Sequence, residues 1–213
     1  MPRRNLVPFL LLALLGLGTV VFAVLGASSA PSGATLTVQN GSDLTFSNSF
    51  TLDLVNTLSS GGSNGTISQV RQVDYKAPDR MSVYQEVGSR SKLIAVLTPS
   101  AVTCSLSTYR AVVGGSTPWT PSGKVFVRTE SLADYDARIP HATATTCEPQ
   151  PAGVLGSVHE SAAVRAGYLV GVRLTVVVPP QKLASGQQAA SGVENQALVL
   201  REINGTRVSA LGK

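Results

Sequence analysis

Apolar side chains recur at every second position in several stretches of this 213-residue chain, the period of half-buried strands. Phe50, Leu52 and Leu54 point one way while Thr51 and Asp53 point the other. Tyr168, Val170, Val172, Leu174, Val176 and Val178 make the longest such run, and Pro179-Pro180 ends it. Ile67 to Tyr75 and Met81 to Val87 read as two further strands. Between them, Ala77-Pro78-Asp79-Arg80 puts proline at the second position of a tight turn. Lys92 to Leu97 is a short apolar strand, and Ala101 to Tyr109 alternates with Val102, Cys104 and Leu106 on one face. Glu194 to Ile203 is the last long strand. Asn204-Gly205 after it signals a type I′ hairpin, with Arg207 to Leu211 returning.

Helical signals are few. Ser131 is placed to cap a short helix through Arg138, with Leu132 and Tyr135 on one face. Leu155, Val158 and Ala162 stand at helical spacing within Val154–Val164, which predicts another. Residues 31–48 are polar and Gly/Ser-rich and read as a linker and a ragged first element; residues 181–192 read as a loop. The sum is a mainly β, α+β domain over residues 49–213. It is an antiparallel curved sheet, or unclosed half-barrel, with a few short helices. One sheet face is apolar enough to need a cover: helices, the rest of a barrel, or a ligand.

Residues 1–30 stand apart as one hydrophobic N-terminal helix. Arg3 and Arg4 precede an uncharged run from Leu6 to Leu25, and small residues Gly26 to Ala30 follow it. Such a run rises about 30 Å as a helix, the thickness of a bilayer core. Two readings stay open: a signal peptide cleaved near Ala27-Ser28-Ser29, or a retained single-pass membrane anchor. Both place the rest outside the cytoplasm, in the cell envelope while tethered, or secreted or periplasmic after cleavage. Cys104 and Cys147 are the only cysteines and both lie in the exported part, so they are expected to form one disulfide. Closing a loop of about 43 residues contributes roughly 4 kcal/mol in the chain-entropy model.

Composition narrows the chemistry. The 17 Lys and Arg against 12 Asp and Glu give a net charge of +5, of which Arg3 and Arg4 belong to the leader. The rest is scattered, with no basic run and no interleaved aromatics, which disfavours nucleic acid as a partner. With 43% hydrophobic residues, only 5% aromatic, the core must be aliphatic. His141 and His159 have no metal-ligand spacing to either cysteine. His159-Glu160 reads as a solvated helix face, since helix neighbours do not face each other. Asp134-Tyr135-Asp136 lacks the glycine and further oxygens of a calcium loop, and there is no Gly-x-Ser-x-Gly elbow. No cofactor and no metal are expected, and the chain is expected not to be an enzyme. Trp119 reads as a lid over the sheet edge or a partner contact. Asn40, Asn64 and Asn204, each followed by glycine, read as turns.

Ser49-Phe50-Thr51-Leu52, a Gly-rich loop, and then Val73-Asp74-Tyr75-Lys76-Ala77-Pro78-Asp79-Arg80-Met81 carry a family resemblance. They resemble the LolA-like outer-membrane lipoprotein-carrier superfamily and its exported glycolipid-binding relatives. Trp119 after Tyr109 and the strands Val170–Val178 and Ala197–Ile203 fit the same layout. The resemblance covers residues 45–130 and 165–211. It implies an unclosed antiparallel barrel wrapped over helices, with an apolar cavity for acyl chains. The function it implies is that of an exported bacterial envelope protein binding or carrying a lipid, or meeting a lipoprotein. Phe50, Leu52, Leu54, Val170, Val172, Leu174 and Val176 are then the candidate cavity lining. The chain departs from the pattern in showing no long helix in residues 31–48 and no lipobox cysteine. The alternative function class is an extracytoplasmic interaction or structural module without a ligand cavity.

Overall fold

The computed structural model describes residues 33–60, 66–142, 147–149, 155–182, 188–189 and 191–212. The hydrophobic leader and the turn at Asn64 lie outside these residues. In chain order the elements are α1 (Gly33–Phe46), β1 (Phe50–Ser60), β2 (Thr66–Lys76), β3 (Arg80–Val87), β4 (Arg90–Val96) and α2 (Pro99–Val113). There follow β5 (Thr120–Ser122), β6 (Val125–Ser131), α3 (Leu132–Asp136), β7 (Pro140–Ala142), β8 (Cys147–Pro149) and β9 (Ser157–Arg165). The last are β10 (Tyr168–Val178), β11 (Gln181–Lys182), β12 (Gln188–Ala189), β13 (Gly192–Ile203) and β14 (Thr206–Arg207). Among the described residues, no helix is long and apolar enough to cross a membrane.

Ten strands form one antiparallel sheet in the order β4-β3-β2-β1-β13-β10-β9-β6-β5, with β14 beside β13. Its ends, β4 and β5, do not pair, so the sheet is unclosed. The expected architecture is present: mostly β, antiparallel, with three short α-helices. Its hairpins follow the predicted turns. Lys76 pairs with Arg80 across Ala77-Pro78-Asp79, and Asn204 and Gly205 adopt φ of 48° and 76°, the positive values that a type I′ turn requires.

Pairing places residues in rows, each row on one face. One row runs Phe126, Ala162, Val172, Leu198, Leu54, Arg71, Gln85 and Lys92 across β6, β9, β10, β13, β1, β2, β3 and β4. The next runs Arg128, Glu160, Leu174, Gln196, Asn56 and Gln69. This face carries the helices, and Leu52, Ala162, Val172, Leu174 and Leu200 are buried beneath them.

The helices depart most from expectation. Residues 33–46, read as linker and ragged element, form α1, and Asn40-Gly41 lies inside it rather than in a turn. A Cβ on Gly41 would come within 3.2 Å of the Gly167 carbonyl and the Leu169 amide, so the missing side chain lets α1 approach the β9–β10 turn. Thr45 Oγ1 donates to the Leu169 carbonyl at 3.2 Å on the same contact. Ala101–Tyr109, read as a strand, belongs to α2, where Thr98 caps the helix through the Ala101 amide and Pro99 opens the first turn. Val154–Val164, read as a helix, is instead β9 from Ser157, with Val158, Glu160 and Ala162 buried in alternation. Residues 181–192 contain the small β11–β12 pair. The predicted α3 is present, and the Ser131 hydroxyl accepts from the Asp134 amide at 3.1 Å.

Candidate functional site

Between the sheet and the α2–α3 layer lies a groove of about 500 Å³, within the usual range of small-molecule sites. Its floor is Leu54, Leu198, Val176 and Val178, from three neighbouring strands. Tyr109 and Val112 of α2 and Leu132 and Tyr135 of α3 line the helical side, with Ile139 beyond α3. Polar groups are few and include Thr108, Asp136, Glu194 and Gln196. Burial raises the Tyr109 phenol to about 12 and also raises Tyr135, so both stay neutral at physiological pH. A cleft of about 210 Å³ adjoins the groove, sharing Leu54, Gln196 and Leu198 with it and adding Asn56, Gln69 and Arg71.

Local chemistry holds the helical wall in place. The Cys104–Cys147 disulfide joins α2 to β8, with Cα atoms 5.7 Å apart. Thr108 Oγ1 donates to the Pro140 carbonyl at 2.8 Å, tying the same helix to β7. At the other end of α2, Arg110 Nη2 donates to the Phe46 carbonyl at 3.0 Å. Phe46, Phe50, Tyr75 and Tyr109 make a chain of ring contacts between α1, the sheet and α2.

The carboxyl end of α2 rests on a buried charge cluster. Arg128 and Glu130 of β6, Glu160 of β9 and Arg138 beyond α3 form ion pairs in which Arg128, Glu130 and Glu160 are almost fully enclosed. Arg128 Nη2 donates to the Val112 carbonyl at 2.9 Å, and Arg138 Nε donates to the Ala111 carbonyl at 2.9 Å. Two cations thereby add donors to the last carbonyls of the helix, of which Ala111 also accepts from the Gly114 amide at 3.1 Å. The Arg128 guanidinium stacks 4.3 Å from the centre of the Trp119 ring. Burial raises the Glu160 carboxyl to about 6, against the opposing pull of the Arg128 hydrogen bond and charge. Glu160 is therefore not on a solvated helix face; on a strand, it and the exposed His159 face opposite ways. The alternation of Val158, Glu160 and Ala162 could have shown this, but a charge at an inward position hid it.

Of the residues expected to line a cavity, Leu54 and Val176 lie on the groove floor. Leu174 is 1% exposed and belongs to the closed core. Leu52, Val170 and Val172 surround a gap of only about 10 Å³ under Thr45 and Phe46, room for about one water. Phe50 packs against Phe46 and Tyr75. The face of β10 is also not continuous as expected: an irregularity between Leu169 and Gly171 turns Leu169 into the core in place of Tyr168. The strand reading of Ala101–Tyr109 leaves the helical wall unplaced, since Tyr109 and Val112 reach the groove only from a helix. Trp119 is 2% exposed, its Nε1 donating to the Val113 carbonyl at 3.1 Å, so it is an internal strut and not a partner contact. Among the described residues, no cluster of His, Cys, Asp and Glu could hold a metal ion.

No family model and no curated protein sequence matches the chain. Among solved structures it is similar to LprF from Mycobacterium bovis, at 12% identity and a TM-score of 0.38, over 82% of this chain and 95% of that one. It is also similar to a LolA-superfamily protein from Nitrosomonas europaea, at 10% identity and a TM-score of 0.27, over 80% of this chain and 92% of that one.

Proposed function

We propose that this protein is an extracytoplasmic lipid-binding protein of the bacterial envelope, and that it binds without catalysing a reaction. The groove between the sheet and the α2–α3 layer holds an acyl chain. The observation that carries this reading is the groove itself: about 500 Å³, floored by Leu54, Val176, Val178 and Leu198. An acyl chain laid there removes apolar area from water on both partners, at about 25 cal/mol per Å². Few directional groups are needed, and the lining supplies few. Export is supported by the Cys104–Cys147 disulfide, a bond that persists in oxidising compartments, and by the apolar leader sequence. The leader either tethers the domain to a membrane or is removed.

Titration of the full chain with a fluorescent polyene fatty acid tests the reading. Saturable binding is expected, weakened about tenfold or more by Val178→Trp, which puts an indole on the groove floor. Binding that is unsaturable, or that is indifferent to this substitution, overturns it.

A further inference from the structure

The row of paired residues crossing the sheet changes character at Leu54. On one side it is apolar, through Leu198, Val172 and Ala162; on the other it continues through Arg71 and Gln85 to Lys92. Two positions further along β3, Val87 pairs with Arg90, which puts a third cation on this face. We propose that Arg71, Lys92 and Arg90 form an anion-binding shelf for the head group of the lipid whose chain occupies the groove. The ligand class is then a single-chain amphiphile with a phosphate or carboxylate head. The inference rests on the groove reading above.

Three observations carry it. First, the carboxylate that borders the cleft, Glu194, is engaged by Asn56 and Gln196, each donating to its Oε1 at 2.9 Å, and the strands beyond add none on this face among the described residues. The helix-bearing face of β2, β3 and β4 presents Gln69, Arg71, Val73, Val83, Gln85 and Lys92 in register and no carboxylate among the described residues. Asp74 and Glu86, the acids of these strands, sit in the alternate rows, opposite Ser82 and Ser91. Second, among the described residues no carboxylate pairs with the shelf cations. Arg71 meets the Gln69 Oε1 at 3.5 Å, whereas Arg110, Arg128, Arg138, Arg201 and Arg207 each pair with a carboxylate. Third, Arg71 brings the shelf to the groove, since the cleft it lines shares Leu54 and Leu198 with the groove. Exposed guanidinium and ammonium groups beside an apolar wall suit an amphiphile: the chain is desolvated while the anion takes charge-assisted hydrogen bonds.

The test compares 1-oleoyl lysophosphatidate with 1-oleoylglycerol, which differ by the phosphate, on the full chain at low ionic strength. Glycerol 3-phosphate serves as the free-anion competitor. The wild type is expected to bind the lysophosphatidate about tenfold or more tightly than the oleoylglycerol, a preference that shrinks with added salt. In R71Q/K92Q, with an unchanged thermal melt, the lysophosphatidate affinity should fall to that of the oleoylglycerol. Equal affinities in the wild type, or a preference surviving in the double variant, overturn the shelf while leaving the groove standing. Competition by glycerol 3-phosphate as strong as by the lipid makes this a free-anion site and also overturns it. Failure of both lipids to bind overturns the groove reading, and the shelf with it.

Discussion

The Arg128 guanidinium of β6 lies directly against the Glu160 carboxylate of β9, both side chains fully enclosed beneath the end of α2. The pair sits in the same sheet row as Leu174, so a face expected to be aliphatic carries charge in its core. Arg128 also holds the Val112 carbonyl, and Val112 is a wall of the groove. The ionic cluster is thus the footing of the helical wall. Removing one partner leaves a buried charge without compensation, at a typical cost of about 3–5 kcal/mol. Arg128→Met is therefore expected to destabilise severely in chemical denaturation, and more than Glu160→Gln, which removes charge and keeps a hydrogen-bonding group.

The same cluster gives a pH signature. Glu160 is raised by burial to about 6 from an ordinary 4.5, so the folded state takes up its proton more readily than the unfolded state. Its contribution to stability is complete below about pH 4.5 and is lost as pH rises through about 6. Denaturant melts of wild type and Glu160→Gln across pH 4 to 7 check this. The difference between the two curves should slope in that window and be flat above it.

The disulfide anchors the other end of the wall. Reduction, or Cys104→Ser with Cys147→Ser, is expected to lower stability by up to roughly 4 kcal/mol, a fall of about 10 °C in melting temperature. Calorimetry with and without reductant measures it. Thiol labelling of the native protein should find no free cysteine.

Core and groove should answer differently to the same added volume. Val172 is 2% exposed and packs beside the small gap under α1, so Val172→Trp is expected to overpack the core and cost about 1–3 kcal/mol. Val178→Trp adds its bulk to the groove and should leave stability within about 0.5 kcal/mol of wild type. Paired denaturation curves decide this.

Much of the sheet was legible because its strands alternate cleanly and its turns carry their own chemistry, as at Asn204-Gly205 and Pro78. The two cysteines and the Ser131 cap were legible for the same reason: each is a local signal. The helices were harder. In α2, Val102, Cys104 and Leu106 alternate as in a strand, and all three are buried because disulfide and core enclose the helix broadly. The start signal, Thr98 followed by Pro99, and the helical series Val102, Leu106, Tyr109 and Val113 were the better guides. The helix α1 is rich in Thr, Ser and Gly and has little intrinsic preference for its state. Tertiary contacts such as Gly41 and Thr45 against the β9–β10 turn sustain it. The groove was legible only in part. Leu54 and Val176 follow from strand alternation, but the wall opposite them needed α2 to be recognised as a helix.

Whether the groove holds an acyl chain is decided by native mass spectrometry of the full chain purified from a bacterial envelope, followed by extraction of the bound species into organic solvent. One acyl-chain lipid per wild-type protein is expected, and little or none on Val178→Trp. A wild type that flies at its bare protein mass and yields no lipid on extraction would contradict this reading.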